Sequence, residues 1–212
     1  MSTSALNLEQ RTRCLTLGSA TLYEASGLNC AVDSQIRPVW EGAALAAPAY
    51  PLVCSPGDNL SIHIALERAP AGSVLVVDAA GFIAGYWGEV LTVAAEAAGI
   101  AGLVINGGVR DVAAIGMHRF PVFARGISVR GTVKASSPAV GQAMLFAGAP
   151  VAAGDLVVAD ADGVIILPAA AVTSALQAAE VRAEKENIMM QQLRQGATTL
   201  ELMGLSCWRE RA

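Results

Sequence analysis

The sequence predicts an α/β protein in which helices flank a mixed, partly parallel sheet. Apolar runs of strand length occur at 73–79, 102–106 and 120–126, and segments of helical length separate them. Such alternation favours parallel strands joined by right-handed crossovers. Two later apolar runs are joined by a short polar turn, which is typical of an antiparallel hairpin. The combination predicts a layered sandwich.

The first part of the chain is predicted to begin with a helix over 19–27. Ser19 is a suitable N-cap for this helix, and Gly27 is a suitable end. An extended segment follows at 42–54, although two prolines interrupt it. Apolar residues at helical spacing then predict a helix within 59–72, which ends at Pro-Ala-Gly.

The middle of the chain contains the clearest strand–helix–strand pattern. A helix is predicted over 88–99, closed by Gly99, and it leads into the buried strand at 102–106. A short helix at 111–119 then leads into the strand at 120–126.

The last part of the chain has a different character. Alternating residues at 127–135 predict an exposed strand, and 154–168 predicts a hairpin that turns at Gly163. An increasingly charged helix is predicted from Ala169 to about Gln195, where Gly196 ends it. Because this helix is polar along much of its length, we expect it to lie on the surface or to reach a neighbouring subunit.

Composition limits the possible functions. The chain has 212 residues, of which 54% are apolar and 15% charged, and its net charge is −4. These values predict one domain over 1–212, with a core at about 19–168 and a helical extension at about 169–204. Without a basic run, nucleic acid is not an expected partner.

The same sequence carries no signal of a membrane or an oxidising compartment. No signal peptide or membrane span is expected, so we predict a cytoplasmic protein. The cysteines form no CxxC pair and are predicted to be reduced thiols in or near the core; they are Cys14, Cys30, Cys54 and Cys207.

Charged residues interrupt an otherwise apolar stretch at 87–111. Glu89 opens a predicted helix, and Arg110 and Asp111 directly follow a predicted strand. In a strand–helix–strand unit these positions meet at the carboxyl edge of the sheet, where open α/β sheets bind ligands. We therefore expect the three charges to lie together.

The chemistry that fits this set is recognition of a 2-oxo acid beside a divalent metal. Free amides at the helix start, from Gly88 to Leu91, can hold a carboxylate. Arg110 can bind a carboxylate or a keto oxygen. Glu89 and Asp111 supply oxygen ligands of the kind that Mg²⁺ or Mn²⁺ takes, directly or through water.

The spacing of these residues resembles a family signature. Glu89, twenty residues and then Arg110-Asp111 is similar to the acid-X20-Arg-Asp signature of the RraA-like family, which includes the 4-hydroxy-4-methyl-2-oxoglutarate / 4-carboxy-4-hydroxy-2-oxoadipate aldolases. The segments 85–111, 120–134 and 154–168 also resemble that family, and the resemblance extends over roughly 19–204.

The resemblance implies a fold, an activity and an assembly. The fold would be an α/β sandwich assembled as a homotrimer or homohexamer, with sites near subunit interfaces. The activity would be that of a class II aldolase, which uses a divalent metal cation to cleave a 2-oxo diacid to pyruvate and decarboxylates oxaloacetate through the same enolate. Degradation of aromatic compounds is the pathway that it suggests.

The resemblance also implies residue roles. Gly88, Glu89, Val90 and Leu91 would line the pyruvate end together with Arg110. Arg110 would also polarise the substrate, Asp111 would be the metal ligand, and Glu89 would join the metal site through water. Lys134 corresponds to a lysine near the family's site.

A proton-transfer acid from a neighbouring subunit's C-terminal helix completes the implied site. Glu186 is the favoured candidate, with Glu184 and Glu24 as alternatives. The same core also resembles regulators that inhibit a ribonuclease by binding it, so a regulatory protein without catalysis remains the alternative. The C-terminal extension favours the enzyme.

Some features are not assigned to the site. Ala114 stands three residues after Asp111, so that turn supplies no second acid and water would complete the coordination. His63 and Glu67 are interpreted as a local pair, and His118 as a cation at a helix end. Without a glycine-rich nucleotide fingerprint, methyl transfer is not expected.

Overall fold

A computed structural model of the chain describes residues 7–209, apart from the side chain of Leu8. Residues 1–6 and 210–212 lie outside the described residues. The predicted single domain over 1–212 includes them, and the expectation of no signal peptide also concerns residues 1–6. The helices are α1 (Leu8–Ser26), α2 (Leu60–Arg68), α3 (Glu89–Ala97), α4 (Val112–His118), α5 (Val172–Arg194) and α6 (Thr199–Leu202). The strands are β1 (Arg37–Pro38), β2 (Leu45–Val53), β3 (Val74–Asp78), β4 (Gly102–Val109), β5 (Val122–Ile127), β6 (Ala139–Val140), β7 (Met144–Phe146), β8 (Ala149–Val151), β9 (Leu156–Ala159) and β10 (Val164–Leu167).

The sheet is mixed, as predicted. Its strand order is β1-β5-β4-β3-β2-β9-β10, and β6 pairs with β2. The run β2, β3, β4 and β5 is parallel, while β1, β9 and β10 pair antiparallel. The carboxyl ends of β3 and β4 therefore lie side by side, with Asp78 in register with Asn106.

Apolar layers cover both faces of this sheet. On one face α2 and α3 pack with Trp87 and Leu103, which are buried in the largest apolar cluster. On the other face Phe123 and Phe146 are buried against β2, β3 and β9. A third cluster lies between α1, α5 and the β9–β10 hairpin. Because β3 and β4 are covered on both sides, their sequences are apolar over 74–77 and 103–105.

Helix α1 begins earlier than the sequence analysis predicts. Asn7 and Gln10 form a capping box that starts it at Leu8. The prediction at Ser19 identifies a real feature, since Gly18 (φ 78°, ψ 163°) interrupts the helix there. The Ser19 N–H and hydroxyl donate to Asp160 at 2.6 Å each, so the hairpin acid satisfies the restarted helix. Gly27 ends the helix in the left-handed conformation, as predicted.

The predicted strand at 127–135 is wrong. Strand β5 ends at Ile127, and beyond it the chain is irregular except for a single parallel bridge between Val133 and Asp58. Val129 is 94% exposed, so the apolar side chains of this alternating segment do not face a partner sheet. Alternation alone therefore misled the prediction.

The predicted hairpin and long C-terminal helix are confirmed, whereas the sequence patterns do not predict the short strands β1, β6, β7 and β8 or helix α6. The hairpin β9–β10 turns at Gly163, and α5 follows a short 3₁₀ turn at Ala169–Ala171. Cys14, Cys30 and Cys54 are buried free thiols, as predicted, and burial raises the pKa of Cys54 to about 12. The prediction for Cys207 is wrong, because this free thiol is exposed near the end of the described residues. Within 7–209, no helix has the length and apolarity needed to cross a membrane.

Candidate active site

The first turn of α3 and the end of β4 are held together by backbone hydrogen bonds. Trp87 forms a parallel bridge with Val109, and the Arg110 N–H donates to the Trp87 carbonyl at 2.8 Å. This pairing extends the parallel contact of β3 and β4 past the end of β3. As a result, Gly88 lies directly beside Arg110 and Asp111.

Asp111 is positioned by an uncommon backbone conformation. It is the N-cap of α4 and has φ 55° and ψ 35°, in the left-handed region that non-glycine residues adopt infrequently. Its Oδ2 accepts a hydrogen bond from the Glu89 N–H at 3.1 Å and lies 3.6 Å from Arg110 Nε. The structure thus places Arg110 and Asp111 at the α3 N-terminus, as the sequence predicts.

These residues open into a cavity of about 300 Å³. Six of the predicted site residues line it: Gly88, Val90, Leu91, Arg110, Asp111 and Lys134. The other lining residues are Asn59, His63, Gly85, Tyr86, Gly131 and Thr132. The cavity therefore combines a helix N-terminus, two cationic side chains and one carboxylate.

Some of the backbone N–H groups at the start of α3 are free to donate a hydrogen bond to a ligand. The first helical bond runs from the Thr92 N–H to the Gly88 carbonyl at 3.0 Å. The N–H groups of Val90 and Leu91 precede this bond and so fall outside the helical ladder. The Glu89 N–H is already satisfied by Asp111. A carboxylate ligand would thus find two free amides next to an occupied one.

Glu89 does not line the cavity. Its Oε1 lies 3.7 Å from His118 Nε2, and His118 Nδ1 lies 3.1 Å from Glu96 Oε2. His118, interpreted from sequence as a helix-end cation, thus joins α4 to α3 through two glutamates. A role for Glu89 at the metal requires its side chain to turn away from His118 or to act through water.

The candidate proton-transfer acids lie on the α1–α5 surface. Arg182 bridges Glu186, at 2.8 Å, and Glu24. Glu184 is exposed, and α5 packs along α1. No described residue of either helix lines the cavity. Any of these acids could therefore serve the site only from another copy of the chain.

Asn59 and His63 are cavity residues that the sequence analysis did not assign. Asn59 Oδ1 and His63 Nε2 are both buried and have no hydrogen-bond partner among the described residues. The four-residue spacing predicts a local pair of His63 with Glu67, whereas the structure places His63 in the cavity wall. Asn59 is the N-cap of α2, and His63 lies in the first half of that helix. A single histidine in a helical pattern does not indicate from sequence that the helix forms a cavity wall.

The pKa of His63 depends on the charge of Lys134. Burial lowers the pKa of His63 below its ordinary 6.5, and the Lys134 charge lowers it further. We expect Lys134→Met to raise the His63 pKa towards that ordinary value. The pKa can be measured by NMR titration of the imidazole, with His118, which does not line the cavity, as the control signal. An unchanged His63 pKa would show that Lys134 does not approach it.

The same shift has a consequence for stability. As pH falls, the unfolded chain protonates His63 before the folded protein does, so the free energy of unfolding decreases below about pH 6.5. Because Lys134→Met brings the two pKa values closer, it should reduce this acid-side loss. Denaturant unfolding at neutral and acidic pH measures it.

The donor set at Asp111 is compatible with a weakly coordinated hard cation. Mg²⁺ keeps several waters and is bound through one or two carboxylates. Asp111 is a partly exposed carboxylate whose Oδ2 contacts one amide and one guanidinium. Among the described residues no group of three or more His, Cys, Asp or Glu side chains surrounds a common point. Asp111 would thus be the principal protein ligand, with water and substrate completing the shell.

A second cavity lies at the opposite, amino end of the parallel strands. Its volume is about 740 Å³, and it is lined by residues such as Pro48, Tyr50, Pro70 and Ser73. The lining contains no acidic, basic or histidine side chain. Although it is larger, this cavity has no charged or imidazole side chain in its lining to hold a metal or an anion.

Fold and site together define an α/β protein with a charged cavity, lined by Arg110, Asp111 and Lys134, at the carboxyl edge of its parallel strands. The family model described as "RraA-like: Aldolase/RraA" matches residues 19–166. The chain belongs to the RraA-like family.

Known proteins resemble the chain at different levels. "Putative 4-hydroxy-4-methyl-2-oxoglutarate aldolase" from Halalkalibacterium halodurans is 33% identical over 150 residues, covering 70% of this chain and 71% of that protein. A structure of an uncharacterized protein from Pseudomonas syringae pv. tomato has a TM-score of 0.85 and 24% identity, and 96% of each chain is covered. RraAS2 of Streptomyces coelicolor, from the RNase ES inhibitor RraA family, has a TM-score of 0.77 and 24% identity, covering 88% of this chain and 98% of that one.

Proposed function

We propose that the protein is a divalent-metal-dependent class II aldolase that cleaves 4-hydroxy-4-methyl-2-oxoglutarate-type 2-oxo diacids to pyruvate. Decarboxylation of oxaloacetate is part of the same proposal, since both reactions leave the pyruvate enolate. The observation that carries it is the convergence of Arg110, Asp111 and the α3 amides on one cavity. The similarity to a relative named as an aldolase supports it further.

Substrate binding follows from the charges of the cavity. The free N–H groups of Val90 and Leu91, at the positive end of α3, can donate hydrogen bonds to the carboxylate next to the 2-oxo group. Arg110 lies beside them and can donate to the 2-oxo oxygen. Lys134 supplies a second cation for a distal carboxylate. A diacid satisfies both cations, which a monoacid would not.

Asp111 is the residue that would hold the metal, and Glu89 would join it through water. A divalent cation bound there supplies Lewis-acid polarisation of the substrate carbonyl. Because Arg110 Nε lies 3.6 Å from Asp111 Oδ2, the guanidinium and a metal held by Asp111 would act on the same carbonyl oxygen. Magnesium and manganese both suit such oxygen ligands.

Bond cleavage then needs a sink for electrons and an acceptor for a proton. In the retro-aldol step the C4 hydroxyl loses its proton, the C3–C4 bond breaks, and the electron pair becomes the enolate of pyruvate. Arg110 stabilises the charge that develops on the enolate oxygen. Protonation of C3 then releases pyruvate. In oxaloacetate decarboxylation the C3–C4 bond also breaks. Carbon dioxide leaves, and the electron pair of that bond forms the same pyruvate enolate.

The proton-transfer group is proposed to come from another subunit. Glu186 is the favoured acid, with Glu184 and Glu24 as alternatives, and a trimer or hexamer would bring one of them to the cavity. Exposed apolar side chains support coverage by another copy: Val90, which lines the cavity, is 80% exposed, and Met117, on the helix that follows Asp111, is 79% exposed.

Metal dependence gives the primary test of this function. Purified protein with Mg²⁺ should release pyruvate from oxaloacetate and from 4-hydroxy-4-methyl-2-oxoglutarate, detected by coupling to lactate dehydrogenase. Excess chelator should abolish release, and restored Mg²⁺ or Mn²⁺ should recover it. Release that persists at full rate in chelator would contradict the metal role. Absence of turnover with either substrate would favour the alternative, a regulatory protein that binds a ribonuclease.

A further inference from the structure

The turn at 55–59 connects the two walls of the cavity. We propose that Asp58, within this turn, is a positioning residue that fixes the segment carrying Lys134. The proposal rests on the proposed function for its kinetic consequence, although its structural part is independent. Asp58 does not line the cavity and so acts only through its neighbours.

The Asp58 carboxylate is surrounded by donors. Its Oδ2 accepts from the N–H groups of Ala135 and Ser136 at 2.8 and 2.7 Å, and from the Ser136 hydroxyl at 3.1 Å. Its Oδ1 accepts from the Leu60 N–H at 2.9 Å. Asp58 is only 4% exposed. One buried carboxylate thus ties the start of α2 to the two residues that follow Lys134.

Backbone pairing reinforces this connection. The Val133 N–H donates to the Gly57 carbonyl at 2.9 Å, and the Asn59 N–H donates to the Val133 carbonyl at 3.0 Å. Lys134 therefore stands between a bridged residue and two residues bound by Asp58. Outside these contacts the segment from 128 to 138 is irregular. Hydroxyl contacts of Ser136 with Ser55 (2.9 Å) and of Ser137 with Ser61 (3.1 Å) also hold the segment. Asp58 differs from them in binding the two backbone N–H groups that directly follow Lys134.

The same turn also contacts the opposite wall. Asn59 Nδ2 donates to the Tyr86 carbonyl at 3.0 Å, and the Tyr86 hydroxyl accepts from the Gly57 N–H at 2.6 Å. Tyr86 lies two residues before Gly88, where the α3 amides begin. The turn thereby sets the separation between Lys134 and the amide end of the cavity.

Only a carboxylate suits the Asp58 position. Hydrogen bonds from Leu60, Ala135 and Ser136 lower the Asp58 pKa, with the Leu60 amide the largest cause, so the side chain is ionised and accepts on both oxygens. An amide in its place would present its NH₂ group to donors in either orientation, either to the Leu60 N–H or to the N–H groups of Ala135 and Ser136. Asp58→Asn is therefore close in shape but wrong in hydrogen bonding.

The test compares Asp58→Asn, Lys134→Met and the double variant in the full-length protein. Asp58→Asn should raise KM for oxaloacetate about tenfold, with a smaller change in kcat, because a charged contact to substrate is misplaced. The double variant should be no worse than Lys134→Met alone. Asp155→Asn is the matched control, since Asp155 also accepts two backbone N–H groups, from Ala152 and Ala169, away from the cavity.

A second measurement does not depend on activity. Hydrogen exchange followed by mass spectrometry should accelerate for the peptide 131–137 in Asp58→Asn but not in Lys134→Met or Asp155→Asn. Faster exchange there, with non-additive KM effects, supports the positioning role. Unchanged exchange, or effects of the two substitutions that multiply, would overturn it. If the wild type releases no pyruvate, the proposed function fails while the exchange result still decides the structural part.

Discussion

Replacing Arg110 with alanine should reduce kcat/KM for pyruvate release by about a hundred- to a thousandfold. Its guanidinium lies 3.6 Å from Asp111 and borders the same cavity as the free α3 amides, where an enolate oxygen would develop charge. Removal of one such donor from a transition-state oxygen has an effect of about this size. Steady-state kinetics with oxaloacetate and Mg²⁺ measure the loss.

Two further variants test whether the effect of Arg110→Ala comes from the loss of the guanidinium at this position. Arg110→Lys keeps the charge but loses the planar fork, so it should retain only part of the activity. Arg68→Ala removes an exposed arginine at the end of α2, outside the cavity, and should leave kcat/KM unchanged. Equal kinetics for Arg110→Ala and the wild type would remove Arg110 from the mechanism.

Replacing Gly88 with alanine should reduce activity about a hundredfold and also lower stability. A Cβ built on Gly88 would clash with Asp111 Oδ2 and lie 3.1 Å from Arg110 Cγ. Both charged side chains would have to move, and small displacements of reacting groups have effects of about this size. Overpacking also destabilises a fold by about 1–3 kcal/mol. Kinetics and thermal unfolding measure the two effects separately.

Gly116→Ala is the matched control for this prediction. It adds the same methyl group within α4, but its nearest neighbour there, Trp40 Cβ, would lie 3.4 Å away, which is ordinary contact. This variant should keep full activity and at least wild-type stability, because alanine favours a helix more than glycine does. Full activity of Gly88→Ala would mean that the close approach of Gly88 to Asp111 is not needed.

The central juxtaposition could be predicted because chain topology alone produces it. A buried strand, a helix and a second buried strand place Gly88 and Asp111 at the same edge whatever the side-chain details. The left-handed conformation of Asp111 and its hydrogen bond to the Glu89 amide refine that placement. Similarly, the hairpin and the long C-terminal helix follow from local patterns of turns and charge.

The opposite wall could not be predicted from such patterns. Lys134 was identified only through family resemblance, and Asn59, His63 and Asp58 were not assigned to the site. They meet through irregular chain, at 55–59 and 128–136, where neither helical nor strand periodicity applies. The alternation at 127–135 even predicted a strand, because exposed valines there imitate the pattern of a half-buried one.

The orientation of Glu89 also lay beyond sequence reasoning. A residue at the first position of a helix can face either the cavity or the neighbouring helix, and periodicity does not decide between them. Here Glu89 Oε1 lies 3.7 Å from Nε2 of His118, on α4. That contact depends on how α4 packs against α3, which is a tertiary property.

A crystal structure with Mn²⁺ and pyruvate tests the central claim most directly. We expect anomalous density for the metal next to Asp111, the pyruvate carboxylate at the Val90 and Leu91 amides, and its keto oxygen beside Arg110. The Asp111→Asn variant, grown and soaked under the same conditions, should lack the metal peak. Pyruvate and metal bound elsewhere in the wild type, with the cavity occupied by solvent, would contradict the account.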